Sequence, residues 1–197
     1  ELADTGGTGS SETDRLLRAP QQLTSALGER RGPAPSRLIR LRLRPRKSDF
    51  DRWILDSMPA VVDAAAWLES QSLSSSDTGL IHNDINWENL VFDDELRVAA
   101  LLDFDNATPA PWSLEVGAAA VVLAGTRAER VDAFVGAYEE AAGRPIDRTE
   151  LHLGMRLKCT QSLLNSINTY LRGDVRDIDL LASWCTHLHA SLVELGR

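Results

Sequence analysis

The sequence predicts an α+β fold in which helix dominates, and three observations carry that expectation. Apolar residues recur at helical spacing from Phe50 to Ser72, and again in successive segments from Ser113 to Leu195. Between these helical regions, two short apolar runs, Leu90-Val91-Phe92 and Val98 to Leu102, flank the acidic turn Asp93-Asp94-Glu95 and read as a β-hairpin. A small β element set among helices defines the class.

In chain order, residues 1–13 are small, polar and glycine-rich, which predicts a flexible lead-in. Their glycines do not make a phosphate loop, because no Gly-Lys-Ser/Thr follows. A helix is plausible from Asp14 to Glu29, interrupted by Pro20. Residues 30–47 hold eight Arg and Lys and the alternation Arg40-Leu41-Arg42-Leu43-Arg44, which predicts an extended edge segment with one basic face. A solvated face is its plainer explanation; its functional one is a surface that meets phosphates or a partner lobe. Residues 1–48 are thus expected to be a lead-in and basic connector, and 49–197 the folded unit.

Asp49 is an N-cap candidate for the helix Phe50–Ser72, which Pro59 should bend or divide. Residues 70–79 read as a loop closing on Gly79. Pro109 and Pro111 mark another loop, and alanine, valine and leucine crowd most faces of a buried helix from Ser113 to Ala124. Thr126 with Glu129 forms the pattern of a capping box for a helix through Ala142, closed by Gly143 and Pro145. Asp147 with Glu150 repeats that pattern for a helix to about Leu171, stopped by Gly173. A last helix runs from about Arg176 to Leu195. No internal repeat is visible.

The totals bound the function. At 197 residues the chain can bury a substantial core, and 43% apolar with 25% charged residues is ordinary for a soluble protein. A formal charge of −8 argues against general affinity for nucleic acid and mildly favours a cationic acceptor. No apolar run is long enough to cross a bilayer, and no signal peptide is visible. Cys159 and Cys185 are too few for a disulfide framework, so a cytoplasmic setting is expected.

The chemistry is concentrated between Leu80 and Asp105. His82-x-Asp84-x-x-x-x-Asn89 leads into the first strand of the hairpin, and Asp103-Phe104-Asp105 follows the second. Carboxylate and carboxamide oxygens suit Mg²⁺, which takes few protein ligands and shares the rest with phosphate and water. Asn89 and Asp103 supply such a pair if the hairpin brings their loops together. Asp84, beside the metal but not on it, is suited to orient a substrate hydroxyl and take its proton. That division of labour fits phosphoryl transfer. Asp105 is a candidate for a second cation or the substrate, and otherwise a solvent-facing loop residue.

The arrangement resembles the catalytic and metal loops of protein kinases, and more closely those of the aminoglycoside phosphotransferase and choline kinase superfamily. The residues that carry the resemblance are His82-Asn83-Asp84, Asn89-Leu90-Val91-Phe92, Leu102-Asp103-Phe104-Asp105-Asn106-Ala107 and Pro109-Ala110-Pro111-Trp112-Ser113-Leu114-Glu115-Val116-Gly117. The resemblance implies a kinase-like C-terminal lobe and a small-molecule kinase using ATP or GTP with Mg²⁺. It makes Asp84 the base, Asn89 and Asp103 the metal ligands, and His82 a brace beneath the loop. Asn86 stands where protein kinases carry a lysine near the transferred phosphate. Glu115 stands where the superfamily usually has Asp bonding the loop backbone, and its extra methylene could shift that support.

A kinase of this type also needs a lobe with a nucleotide-covering loop and a strand lysine paired to a glutamate. Nothing before His82 reads as such a unit, and Lys47, in an arginine run, is the only lysine of the first half. The expectation is therefore a C-terminal lobe alone, with the nucleotide lobe missing, in a chain that begins at Glu1 rather than Met. The active reading is phosphotransfer to a hydroxyl of an aminoglycoside-like or other amino-alcohol or sugar acceptor. The alternative is a non-catalytic lobe: a binding or regulatory module, or a truncated remnant. Trp87 is either a packing anchor or a wall of the acceptor pocket. His152, His187 and His189 read as structural, Trp67 and Trp184 as core, and Glu139, Glu140, Asp177 and Asp179 as solvated helix faces.

Overall fold

The computed structural model describes residues 35–73 and 77–196, together with Pro33. The expectations for residues 1–29 lie outside the described residues. Six α-helices and four short strands are described: α1 Pro35–Leu43, α2 Asp49–Glu69, β1 Thr78–Ile81, β2 Leu90–Phe92, β3 Val98–Leu101, β4 Thr108–Pro111, α3 Trp112–Leu123, α4 Ala128–Ala142, α5 Arg148–Arg172 and α6 Ile178–Leu195. The class is α+β, mainly helical, as the sequence predicts.

The basic segment corrects one expectation. Residues 35–43 are a helix, not an extended edge. Pro35 occupies the first helical position, where its missing N–H costs nothing. Arginine and leucine are both good helix formers. Of the alternating leucines only Leu41 is buried, at 1% exposure, and Leu38, three residues earlier, packs against the same core. Leu43 is 75% exposed, so the alternation did not mark one face of a strand.

The cap of α2 is Ser48, one residue before the candidate Asp49. Its hydroxyl accepts the Asp51 N–H, while Asp51 accepts the Ser48 N–H. Asp51 is buried and also accepts the Tyr170 hydroxyl at 2.8 Å and Arg44 at 3.0 Å, joining the residue that follows α1 to α2 and α5. Burial raises its pKa, but the bonds from Tyr170, Ser48 and Arg44 outweigh that and hold the carboxyl below its ordinary value. Pro59 lies inside α2 without dividing it.

The hairpin forms as expected. β2 and β3 pair antiparallel, Leu90 with Leu101 and Val91 with Ala100. Asp93 closes the turn, its carboxylate accepting the N–H groups of Glu95 and Arg97. A second antiparallel pair was not anticipated. β1 and β4 run together from Thr78 opposite Pro111 to Ile81 opposite Thr108. Pro109 and Pro111 read as loop residues, yet a strand in a two-stranded ribbon always has an outward edge where no N–H is needed.

The core is shared by α2, α3, α5 and α6, with Ile54, Val61, Val116, Leu163, Ile167 and Leu188 at its centre. Cys159 and Cys185 are free and fully buried, and burial pushes their thiols to about 12 and about 11. Helices α3 and α5 approach so closely that a Cβ at Gly117 would lie 2.1 Å from the Leu151 carbonyl oxygen. One at Gly154 would lie 2.3 Å from that of Leu114. Glycine permits this contact because it presents no side chain.

Helix ends follow the sequence in part. Asp147 caps α5 through the Thr149 and Glu150 N–H groups, and Gly143 and Gly173 end α4 and α5 in the left-handed region. Thr126 does not cap α4. Arg127 holds that position without a side-chain bond, and the Thr126 hydroxyl donates to Glu194 instead. Among the described residues, no helix is long and apolar enough to cross a membrane.

Candidate active site

The candidate residues lie on the loop between β1 and β2 and on the loop after β3, and hydrogen bonds join the two. His82 is 3% exposed. Its Nε2 bonds the Leu102 carbonyl at 2.7 Å, and its Nδ1 accepts the Asp84 N–H at 3.3 Å. A carbonyl can only accept and a backbone N–H can only donate, so this network assigns the ring proton to Nε2. The edge of Phe104 meets the ring at 4.6 Å between centroids. His82 therefore fixes Asp84 on one side and both neighbours of Asp103 on the other.

Glu115, on the first turn of α3, holds the same loop from behind. Its two carboxylate oxygens accept the His82 N–H at 2.8 Å and the Asn83 N–H at 2.7 Å. The extra methylene relative to Asp does not prevent a two-pronged contact. Asn83 stands at φ 63°, a left-handed conformation that asparagine tolerates better than most residues, and its side chain donates to the Asn106 carbonyl at 3.4 Å.

Asn86 and Asn89 shape the middle of the loop. The Asn86 Oδ1 accepts the N–H groups of Glu88 and Asn89, and its Nδ2 donates to the Asp84 carbonyl at 3.2 Å. Its side chain is thus committed to the loop backbone. The Asn89 Nδ2 donates to the same Asp84 carbonyl at 2.9 Å, which leaves Oδ1 as the side chain's open acceptor. The Asn89 carbonyl accepts the Leu102 N–H at 2.8 Å, so the hairpin sets Asn89 beside the residue that precedes Asp103.

Asp103 adopts φ 61° and ψ 71° and is exposed; its carboxylate makes no hydrogen bond among the described residues. A non-glycine residue in that region costs about 1–2 kcal/mol, and such strain concentrates at functional sites. Among the described residues no group of three His, Cys, Asp or Glu side chains is arranged to hold a metal. The available donors are the two hard oxygens of Asn89 and Asp103. That set fits Mg²⁺, which completes its shell with phosphate and water. Asp105 is exposed on the turn Phe104–Asn106.

The sequence reading missed one member of the constellation. Lys158, on α5, places its Nζ 3.1 Å from Asp84 Oδ1, with side-chain exposures of 16% and 30%. It is one of two lysines in a chain whose other cations are arginines. That rarity was the available signal.

Other candidates make contacts within the fold. Trp87 is exposed but donates from Nε1 to the Val122 carbonyl at 3.2 Å, tying the loop to α3. His189 meets Trp53 edge-on, and His187 stacks on Trp184. Asp177 caps α6, and Glu139 accepts the Ile146 N–H and pairs with Arg148. Trp67 and Trp184, expected in the core, are each 38% exposed; Arg156 lies over the Trp67 ring at 4.1 Å.

Two bonded loops on a hairpin, backed by a helical lobe, define a kinase-like C-terminal lobe. The model of the phosphotransferase enzyme family known as APH matches residues 11–153, and the chain belongs to that family. A crystal structure from Ralstonia eutropha JMP134, of a protein named as a candidate aminoglycoside phosphotransferase, is similar in fold. It has a TM-score of 0.52 and 18% identity, over 98% of this chain and 69% of that one. No curated protein matches.

Proposed function

We propose that the protein moves the γ-phosphate of ATP or GTP to a hydroxyl of a small molecule, with Asp84 as base and Mg²⁺ on Asn89 and Asp103. The observation that supports this reading is the bonding of the two loops through His82 and Asn89, which ties the loop carrying Asp84 and Asn89 to the residues on either side of Asp103. Bound Mg²⁺ would neutralise phosphate charge as it develops.

The chain's own residues supply positioning. Glu115 and His82 fix the backbone of the loop so that the Asp84 carboxylate does not need to reorganise when a hydroxyl arrives. Asp84 accepts the hydroxyl proton as the acceptor oxygen bonds phosphorus. Asn86 holds the loop turn that would lie near the phosphate, and Asp105, exposed on the metal loop, would meet the substrate or a second cation. The acceptor class is aminoglycoside-like, or another amino-alcohol or sugar; the net charge of −8 supports a cationic one. Two free, buried cysteines support a cytoplasmic location.

The nucleotide must also be gripped from the other side. Phe92, Val98, Leu102 and Phe104 expose 40–57% of their surface around the hairpin. Apolar exposure of this kind suits a face covered by a nucleotide base and a nucleotide-binding lobe.

Calorimetric titration of the full-length protein with Mg·ATP and Mg·GTP tests the reading. One nucleotide should bind, and Asp103→Ala should weaken it by roughly tenfold or more. A folded wild type that binds neither would sink the kinase assignment and leave the non-catalytic lobe.

A further inference from the structure

We propose that Lys158 is the mobile cation of the phosphoryl-transfer step, handed from Asp84 to the phosphoryl group as the base takes its proton. This inference rests on the phosphotransferase reading and adds a residue to it. In the loop, the position after Asp84 and Ile85 is Asn86, whose amide is spent on three bonds to the loop's own backbone. Asn86 carries no charge, so it brings no cation to a phosphate. Among the described residues, the ammonium set against the base comes from α5, at 3.1 Å from Asp84 Oδ1.

The fold accounts for its reach. Lys158 lies one helical turn beyond Gly154, so both occupy the same face of α5. Gly154 rests on the Leu114 carbonyl, and the next residue of α3, Glu115, clamps the catalytic loop. The glycine contact thus sets the height at which Lys158 meets Asp84. Its neighbours Leu157 and Cys159 are buried and anchor the backbone, while the ammonium sits at the end of a flexible four-carbon stem, 16% exposed, through which it could change partner.

The charge balance gives the motion a cause. The acceptor oxygen bonds the γ-phosphorus, the bond from phosphorus to the leaving diphosphate oxygen breaks, and that electron pair departs with the nucleoside diphosphate. The hydroxyl proton passes to Asp84. Its carboxylate then loses the charge that held Lys158, just as charge is spread over the equatorial phosphoryl oxygens. A lysine binds phosphate as a compact point charge, without the fixed fork geometry of arginine.

The test compares Mg·ADP with Mg·ADP plus aluminium fluoride, a mimic of the transferring phosphoryl, by calorimetry on the full-length protein. Mg·GDP is used in the same way if GTP is the nucleotide. Lys158→Met should leave Mg·ADP affinity within about threefold and remove roughly tenfold or more of the gain that fluoride confers. Lys158→Arg should keep most of that gain, and the difference should persist in an Asp84→Asn background. If Lys158→Met shows the wild-type gain, the inference fails while the phosphotransferase reading stands. It fails likewise if the effect vanishes with Asp84→Asn, which marks a static ion pair, or if Lys158→Met loses both affinities together with thermal stability. A wild type that binds no Mg-nucleotide overturns the phosphotransferase reading, and this inference with it.

Discussion

Each oxygen of Glu115 is committed to a different backbone N–H, at 2.8 Å to His82 and 2.7 Å to Asn83. Glu115→Gln replaces one acceptor with an NH₂ group that faces a donor, leaving an N–H unmet. Bonds to a charged group are worth about 1.5–3 kcal/mol, so thermal denaturation should report a loss of about 2 kcal/mol. Phosphotransfer, where measurable, should fall further than stability suggests, because Asp84 would lose its fixed position. Asp51 offers a pH test at the same scale. A carboxyl whose pKa is lowered by folding contributes stability that is fully present above its unfolded value of about 3.9. The contribution is lost as pH falls through the lower folded value. Melting curves should therefore show a loss of stability below about pH 4 that Asp51→Asn lacks. A wild-type acid slope retained in Asp51→Asn would assign the effect to other groups.

The close contact of α3 and α5 and the turn of the hairpin make the clearest predictions about elements. A methyl group at Gly154 would lie 2.3 Å from the Leu114 carbonyl oxygen, a backbone atom that cannot move alone. Gly154→Ala should cost about 1–3 kcal/mol, measured by denaturant titration, although alanine is the better helix former. A neutral or stabilising result would mean the helices are not this close. The hairpin predicts the opposite sign. Leu96 is 82% exposed at φ 60°, where a Cβ is disfavoured. Leu96→Gly should stabilise by about 0.5–1 kcal/mol. The hairpin was legible because apolar runs and an acidic turn are local signals. The β1–β4 ribbon was not, since Pro109 and Pro111 argue locally against a strand and only the pairing with Thr78–Ile81 overrides them. Helix α1 was misread for a related reason. Period-two leucines describe a strand only if one face is buried, and here burial follows the i, i+3 pair Leu38 and Leu41.

For the molecule as a whole, the sequence displayed the loops of the site more fully than the scaffold that positions them. His82, Asp84, Asn89 and Asp103 stand at short, fixed spacings, so the motif was visible from residue types alone. Lys158 lies 74 positions beyond Asp84 on another element, and the packing of α5 against α3, with its close glycine contacts, brings it there. Family membership, shown by the match over residues 11–153, agrees with the local motif. The activity proposed for the site is phosphate transfer. Its most direct measurement is the transfer of label from γ-³²P-ATP or γ-³²P-GTP, with Mg²⁺, by the full-length protein to a panel of aminoglycosides, amino-alcohols and sugars. Wild type should show Mg²⁺-dependent labelling of at least one acceptor, reduced by roughly 10²–10⁴-fold in Asp84→Asn. Labelling that persists unchanged in Asp84→Asn would contradict the proposal.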